Sequence, residues 1–593
     1  MRQFNRDFFR DLWKMARPYW RESEERPLAW GVSALIVFLN LFMVFISYRI
    51  TEWYAVFWNA LQRFDAPAAW TQLAIFVGLA TVYIVAAVLQ TFFTQMLEIR
   101  WRRWLTYHYL DDWLARGTYY HMQVLGDGTD NPDQRISEDL ASFTSQTLNI
   151  VIGLLSSVTT LFAFIFMLWE LSSQITIPWD GQIFRIPGYL VWAALIYSVF
   201  GTLVTAWIGR PLIQLNFNQE RFQADFRFSM MRLRENSESV ALYGGESEER
   251  QHFLRRFAEV YANFWRIIWR SMRLNWWTSG YGQAAIIFPI LVSLPAYFVN
   301  RAIGIGGLQQ IASAFSQVQG ALSFIVSSYA MLANWHAVVD RLRFFHQSME
   351  EVRQIQDHHY RIVRGESDHL EVHGLNVRLP DGRVLVRGLE LSVRPGEHFL
   401  VMGPSGSGKS TLVRALAGIW PFGEGSVGLP QGEHPLFLPQ RPYLPMGSLR
   451  DVLVYPYGLP DGRREDELRE ALSDVGMASL ADSLEEQKLW SHILSLGEQQ
   501  RLAFARILVH RPRWLFLDEA TSALDEPAEE NLYRLIADRF PGTAVISVGH
   551  RSSLLRYHQE CLRLLGDGEG SWRIEDVASG DSNTPVWGTL SHA

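Results

Sequence analysis

The residues best suited to chemistry lie between positions 403 and 411, where glycines and serines surround one lysine. The segment reads Gly403-Pro404-Ser405-Gly406-Ser407-Gly408-Lys409-Ser410-Thr411. Its spacing fits the P-loop pattern G-x-x-x-x-G-K-[ST], in which backbone N–H groups and a helix N-terminus bind phosphates. We expect Lys409 to pair with the β- and γ-phosphates of ATP and Ser410 to ligate Mg²⁺. A glycine-rich turn is the alternative, but the predicted strand His398–Met402 and the following helical run favour the P-loop.

A second candidate element is the apolar run Trp514–Leu517, which ends in Asp518 and Glu519. An acid at the end of a buried strand holds Mg²⁺ in P-loop nucleotide hydrolases, which is the role we predict for Asp518. Glu519, one residue further on, is placed to polarise the attacking water. Capping of the next helix would explain one of these carboxylates, but not both.

Between these elements lies Leu494-Ser495-Leu496-Gly497-Glu498-Gln499-Gln500-Arg501. This segment resembles the signature motif of the ABC transporter ATPases, with Leu496 and Glu498 departing from the usual Leu-Ser-Gly-Gly-Gln-Gln. The resemblance implies that Ser495, Gly497 and Glu498 contact ATP held by the P-loop of a second subunit. Taken alone, the same residues fit an ordinary capped helix start equally well.

Three further positions follow the order of the same family. Gln440 resembles the Q-loop glutamine, which implies coupling to the membrane domain and a place at Mg²⁺. Asp525 resembles the D-loop aspartate, and His550 resembles the switch histidine that contacts the γ-phosphate. One feature departs from the family, because residues 376–380 lack the aromatic side chain that usually stacks on adenine.

Composition and hydropathy indicate that the chain also contains membrane-spanning segments. The chain has 593 residues, of which 48% are hydrophobic and only 19% charged, with 23 tryptophans, whereas soluble proteins carry about 25% charged residues. Each of six apolar stretches is close to the length of a membrane crossing. They are Leu28–Tyr48, Leu73–Leu97, Leu148–Trp169, Tyr189–Ile208, Trp276–Val299 and, less clearly, Ala314–Leu332.

Basic residues alternate between the segments that flank these stretches. Seven precede the first span, and the five loops that follow carry two, five, one, eleven and one. The positive-inside rule therefore places both termini and the two long loops in the cytoplasm, with helices running past the membrane. The net charge of −7 argues against a nucleic-acid partner, and the single Cys561 excludes an intrachain disulfide framework.

Two loop segments of the membrane half narrow the resemblance. Asp130–Ile136 and Glu235–Glu246 are similar to motifs of the subfamily D fatty-acyl ABC transporters and of bacterial SbmA/BacA-like relatives. An Asx–Pro turn and a C-capped helix would explain each segment locally, but not both together. Six spans followed by one ATPase domain resemble a half-transporter, which implies a homodimer in the bilayer and leaves a heterodimer with a paralogue open. The narrower resemblance implies peptides or cobalamin as cargo in bacterial members and acyl-CoA esters in peroxisomal ones.

These observations predict a multi-domain protein: an exporter-type transmembrane domain of six helices and an α/β P-loop ATPase domain. The expected boundaries are 1–345 for the membrane domain, 346–368 for a linker, 369–578 for the ATPase and 579–593 for a tail. The central parts of the spans hold polar neutral residues such as Gln90, Ser293 and Gln317 but no Asp or Glu, which favours ATP over protons as the energy source and indicates an amphipathic cavity.

The predicted function is ATP-driven transport of a solute across a bacterial inner membrane, with ATP and Mg²⁺ as cofactors. Two alternatives stay open at this point. One is a lipid or acyl-CoA translocase, and the other is a non-transporting ATPase that gates or signals to a partner.

Overall fold

The structure, a computed structural model, describes residues 6–125, 131–173, 177–179, 182–184, 186–298, 303–359, 361–363, 369–430, 435–459 and 465–577. The chain divides into two compact units. One comprises Met1–Asp111 with Asn131–Phe345, and the other comprises Asp112–Asp130 with His346–Ala593. Asp130 and Val299 of the predicted features, part of the predicted linker and the predicted tail lie outside the described residues.

Helices form the N-terminal half of the chain, with one short hairpin. The helices are α1 (Arg6–Glu22), α2 (Arg26–Gln62), α3 (Ala66–Leu114), α4 (Thr118–Leu125), α5 (Pro132–Gln134), α6 (Leu140–Ser172), α7 (Tyr189–Glu235), α8 (Ser237–Tyr243), α9 (Glu246–Phe298), α10 (Ile305–Ser327) and α11 (Tyr329–His359). The hairpin pairs β1 (Ile177–Trp179) with β2 (Gln182–Phe184) in antiparallel register.

Several of these helices are far longer than a bilayer requires. Helices α3, α7 and α9 have 49, 47 and 53 residues, or roughly 70–80 Å at 1.5 Å per residue, against about 30 Å of hydrocarbon. They therefore continue past the membrane, as the sequence predicts. Among the described residues, five helical stretches are long and apolar enough to span. The sixth predicted span falls on α10 and the first turn of α11, which Ser328 separates.

A polar seam joins α2 to α10 within the first unit. Four hydrogen bonds of 3.1–3.2 Å cross it, and they join Gln317 to Ser47, Ser313 to Thr51, Gly306 N to Asn59 and Ile305 N to Gln62. The α2 residues recur every three or four positions or multiples of these, so they share one helix face. At Gly306 the helices are so close that a Cβ would lie 2.1 Å from the Ala55 carbonyl oxygen. Gln317, which was expected to line a cavity, thus forms a hydrogen bond from α10 to Ser47 of α2.

The strands of the second unit are β3 (Arg361–Val363), β4 (Leu370–Arg378), β5 (Val384–Val393), β6 (His398–Met402), β7 (Gly423–Gly428), β8 (Leu436–Leu438), β9 (Gly447–Ser448), β10 (Gln487–Lys488), β11 (Trp514–Asp518), β12 (Ala544–Val548), β13 (Glu560–Leu564) and β14 (Trp572–Asp576). Among the described residues they form a four-stranded sheet in the order β3-β7-β4-β5, a six-stranded sheet in the order β14-β13-β6-β12-β11-β8, and the antiparallel pair β9–β10. The helices are α12 (Lys409–Leu416), α13 (Leu449–Val454), α14 (Glu465–Asp474), α15 (Trp490–Ile493), α16 (Leu496–His510) and α17 (Glu526–Arg539).

The central strands of the six-stranded sheet are apolar and buried on both faces. In β12 all five residues are buried, and in β11 the first four are buried. Such continuous apolar runs are typical of parallel strands covered by helices. Strands β13, β6, β12, β11 and β8 are parallel, and β14 is antiparallel to β13.

Candidate nucleotide-binding site

The order of the parallel strands brings the predicted residues to one edge. Strand β12 pairs with β6 on one side and with β11 on the other. The carboxyl ends of β6, β12 and β11 lead into the glycine-rich loop, His550 and the two acids, respectively. Ligands of open α/β sheets bind at this edge, so the topology alone gathers residues that are more than a hundred positions apart.

The loop between β6 and α12 has the backbone that phosphate binding requires. Gly406 and Gly408 have φ angles of +80° and +97°, in the left-handed region that favours glycine. The loop turns outward, with Pro404, Ser405 and Gly406 exposed. Ser407 is buried at its base, and its Oγ has no hydrogen-bond partner in the part of the chain that is described.

Lys409 lies folded against this loop at the N-terminus of α12. Its Nζ donates to the carbonyl oxygens of Gly403 and Pro404, at 3.1 and 2.9 Å. The side chain is only 5% exposed, and burial lowers the pKa of Lys409, although Glu519 and Asp518 oppose this. A phosphate would therefore replace weak carbonyl acceptors with a full negative charge for a poorly solvated ammonium group.

The acids of β11 occupy two different environments. Asp518 accepts a hydrogen bond of 2.9 Å from Ser410 Oγ. Burial raises the pKa of Asp518, and the Ser410 hydrogen bond works against that rise. A half-buried carboxylate beside a hydroxyl supplies the oxygen ligands that Mg²⁺ prefers, so Asp518 and Ser410 fit the ion that the sequence predicts. The third predicted ligand, Gln440, donates its amide to the neighbouring Glu519.

Glu519 leaves the strand in an unusual conformation. Its φ is +50°, which is costly for a residue with a Cβ. Its carboxylate accepts from Gln440 Nε2 at 3.0 Å and lies 2.8 Å from His550 Nε2, while its N–H bonds to the Val548 carbonyl. Three predicted residues, Glu519, Gln440 and His550, therefore form one hydrogen-bonded group next to the P-loop.

The signature segment forms the capped helix start that its sequence allows, and its contact with ATP stays a prediction. Ser495 is the N-cap of α16 and forms a capping box with Glu498. Ser495 N and Oγ donate to Glu498 Oε2 at 2.8 and 2.7 Å, which lowers the pKa of Glu498. A Cβ on Gly497 would lie 3.2 Å from the Ala523 carbonyl, so α16 begins close to the segment after the acidic strand.

Asp525 also begins a helix, because its side chain accepts from Ala528 N at 3.2 Å and caps α17. Neither Asp518 nor Glu519 caps that helix, which removes the alternative explanation for the acidic pair. In the described part of this chain, no hydrogen bond links Ser495 or Asp525 to the P-loop.

Sequence reasoning missed one residue of the site. Gln500 is fully buried; its Nε2 donates to the Gln440 carbonyl at 2.9 Å and to Ser522 Oγ at 3.2 Å, and its Oε1 accepts from Ala523 N at 2.9 Å. It therefore ties α16 to the segments on both sides of Glu519. Its match to the signature motif was visible, but the contacts that it makes depend on tertiary structure.

The segment without an adenine-stacking aromatic lies at the end of β4. Arg378 pairs with Glu424 at 3.3 Å, and its carbonyl accepts from Trp420 Nε1 at 2.8 Å. Trp420 is only 6% exposed, so its ring face is not presented for stacking.

Comparisons with known proteins agree with this geometry. A family model described as "ABC transporter transmembrane region 2" matches residues 23–298, and one described as "ABC transporter" matches residues 386–522. An uncharacterized ABC transporter ATP-binding protein of Haemophilus influenzae is 36% identical over 91% of this chain and 89% of its own length. The chain belongs to the ABC transporters, as an ATP-hydrolysing transporter with a membrane region and an ATPase domain.

Three further proteins are similar to this chain over most of its length. The inner membrane ABC transporter ATP-binding protein YddA of Escherichia coli is 32% identical, covering 91% of this chain and 94% of that protein. The mouse lysosomal cobalamin transporter ABCD4 is 28% identical, covering 93% and 94%. A bacterial Atm1-family ABC exporter solved with ATP bound has a TM-score of 0.63 at 18% identity, covering 92% and 94%. That structure shows the shared exporter-type fold.

Proposed function

We propose that this protein is a homodimeric pump of a bacterial inner membrane that uses ATP to move an amphipathic solute, of the peptide or cobalamin class. Both termini and the ATPase domain would face the cytoplasm. The inner-membrane relative and the cobalamin-transporting relative support this location and this class of cargo.

The observation that carries the proposal is the hydrogen-bonded group of Glu519, Gln440 and His550. Glu519 would act as the general base for the water that attacks ATP, because its carboxylate is oriented from two sides at the end of β11. Lys409 would hold the β- and γ-phosphates. Mg²⁺, which neutralises phosphate charge when bound, would be held by Ser410, Asp518 and Gln440.

Transmission to the membrane half would use α4. This helix belongs to the same compact unit as the ATPase domain, and Val124 packs against the hydrophobic core that contains Trp420. Near the end of α3, which precedes α4, Asp112 accepts a hydrogen bond of 2.5 Å from Arg353 of α11. Closure of two ATPase domains on ATP would therefore move the ends of α3 and α11.

The mechanism is tested by Glu519→Gln in the full chain, reconstituted in nanodiscs. We expect the variant to bind ATP normally and to hydrolyse it on the order of 10²–10⁴-fold more slowly, since it lacks the general base. Glu526→Gln, an exposed acid in the first turn of α17, is the matched control and should hydrolyse ATP like the wild type. Wild-type turnover in Glu519→Gln would contradict the assigned role.

The cargo is tested separately, by stimulation of wild-type ATPase activity with peptides, cobalamin, acyl-CoA esters and lipids, followed by uptake into vesicles. Stimulation and uptake of a peptide or cobalamin would support the proposal. Stimulation by lipids or acyl-CoA alone, or brisk hydrolysis with no solute movement, would contradict it.

A further inference from the structure

Helix α1, in the first unit, has a different chemistry on each face. Successive residues of an α-helix are rotated by about 100°, so positions around α1 can be assigned from spacing alone. Phe8, Leu12, Met15 and Tyr19 share one face. Phe9, Trp13 and Trp20 fall roughly 100–140° further round, and a basic face lies at roughly 160–240°. The basic face consists of Arg6, Arg10, Lys14, Arg17 and Arg21.

The first face is packed against the protein. Phe8 is 2% exposed and stacks on His336 at 4.6 Å between ring centroids. Tyr19 is fully buried and lies 6.5 Å from the ring of Trp101. These contacts fix the rotation of α1, so Phe9, Trp13 and the basic face point away from the helices beneath, whereas the Trp20 ring packs on Trp101 at 4.9 Å between ring centroids.

The depth of α1 follows from where it is attached. Trp20 Nε1 donates to Ser33 Oγ at 3.3 Å, and Trp30 Nε1 donates to the Trp20 carbonyl at 3.2 Å, so α1 ends beside the first turns of the α2 span. On α3, the apolar stretch stops at Leu97, and Arg100 pairs with Glu25, just after α1, at 3.1 Å. Helix α1 therefore lies at the level where the hydrocarbon ends.

At that level the two outward faces match the two layers of a lipid surface. Phe9 and Trp13 are 53% and 62% exposed, and aromatic rings of this kind settle at the boundary between acyl chains and headgroups. The basic face is a quarter turn further round, where phosphate groups would lie. Arg10 also lies 3.5 Å from its neighbour Asp11, but its side chain is still 62% exposed.

We propose that α1 is a binding site for anionic phospholipid, with Phe9 and Trp13 in the acyl boundary and the basic face on lipid phosphates. A helix with an aromatic face and a separate basic face binds the membrane plane by burial of apolar area and by attraction to anionic lipid. The proposal is independent of ATP use and of the transported solute, so it can fail while the proposed function holds.

The first test measures lipid preference. The full chain is placed in nanodiscs of phosphatidylglycerol and phosphatidylcholine, and the lipid retained after detergent exchange is quantified. Arg10→Gln/Lys14→Gln/Arg21→Gln should lower the retained ratio of phosphatidylglycerol to phosphatidylcholine by at least about fivefold, because each basic side chain at an anionic surface contributes roughly that preference. The control Arg227→Gln/Arg250→Gln/Arg255→Gln removes three exposed charges from α7 and α9 and should leave the ratio unchanged.

The second test measures depth. In a Cys561→Ala background, a nitroxide is attached to the cysteine of Trp13→Cys. We expect it to collide more often with oxygen, which dissolves in the acyl region, than with a water-soluble nickel complex. The control label in Met446→Cys, at a position that is 81% exposed in the ATPase domain, should show the reverse. The proposal is overturned if both triple variants retain phosphatidylglycerol and phosphatidylcholine in the same ratio. It is also overturned if the label at position 13 collides mainly with the nickel complex, or with neither reagent because protein covers it.

Discussion

Replacing Gln500 with alanine removes one buried amide that holds three segments of the ATPase domain. The amide bonds the Gln440 carbonyl, Ser522 Oγ and Ala523 N at 2.9–3.2 Å. The Gln440 and Ser522 segments flank Glu519, and Gln440 itself donates to the Glu519 carboxylate. The substitution should therefore disturb both the stability of the domain and the position of the proposed base.

The size of the effect follows from these contacts. Each hydrogen bond contributes a net free energy of about 1 kcal/mol, and a buried group left without a partner costs about 1–3 kcal/mol. Gln500→Ala strands one carbonyl and one N–H and also leaves a void, so we expect the ATPase domain to lose roughly 3–5 kcal/mol of unfolding free energy. Movement of Glu519 by a fraction of an ångström should lower kcat on the order of tenfold to a hundredfold.

Both effects can be measured on the full chain in nanodiscs, by urea denaturation and by steady-state hydrolysis. Gln487→Ala, an exposed glutamine on β10, is the matched control and should behave like the wild type. A Gln500→Ala protein with unchanged unfolding midpoint and unchanged kcat would refute the reasoning, since it would mean that water replaces the amide at no cost.

Two other predictions concern packing and pH. Gly306→Ala places a methyl group 2.1 Å from the Ala55 carbonyl oxygen and should lower the melting temperature of the protein. The control Gly320→Ala, in the same helix with nothing within 4 Å of the new methyl group, should be neutral or slightly stabilising. Equal melting temperatures of the two variants would refute the α2–α10 contact. Burial lowers the pKa of His558 to about 4. Between about pH 6.5 and pH 4 the unfolded chain therefore binds a proton that the folded chain does not. The free energy of unfolding should fall by up to roughly 3 kcal/mol as the pH drops through that window. Denaturant titrations at several pH values should show this slope in the wild type and a smaller one in His558→Gln.

The sequence predicted most of the fold because its signals are local. Apolar length identified the spans, and Gly-rich and acidic segments at strand ends identified the ATPase core. The sixth span was the least clear, because α10 uses Gln317, Ser313 and backbone N–H groups to bond α2. Polar residues that serve an interhelical seam lower the hydropathy of the helix and resemble cavity-lining residues until the partner helix is known.

The site was predicted less completely, because some of its features depend on residues far apart in sequence. Gln500 contacts main-chain atoms 60 and 23 positions away, which no motif spacing reveals. At Ser495 the structure shows the helix cap, while the predicted contact with ATP stays a prediction, because a hydroxyl at a helix N-terminus suits both roles.

The backbone of Glu519 is consistent with the general-base role that we propose for it. A left-handed φ at a residue with a Cβ costs about 1–3 kcal/mol, and local preference would place glycine or asparagine there. The surrounding structure nevertheless fixes that conformation, through the Val548 carbonyl on the main chain and through Gln440 and His550 on the side chain. The carboxylate held this way lies beside Gln440 and His550 at the carboxyl end of β11, where the proposed general base would meet the water that attacks a nucleotide.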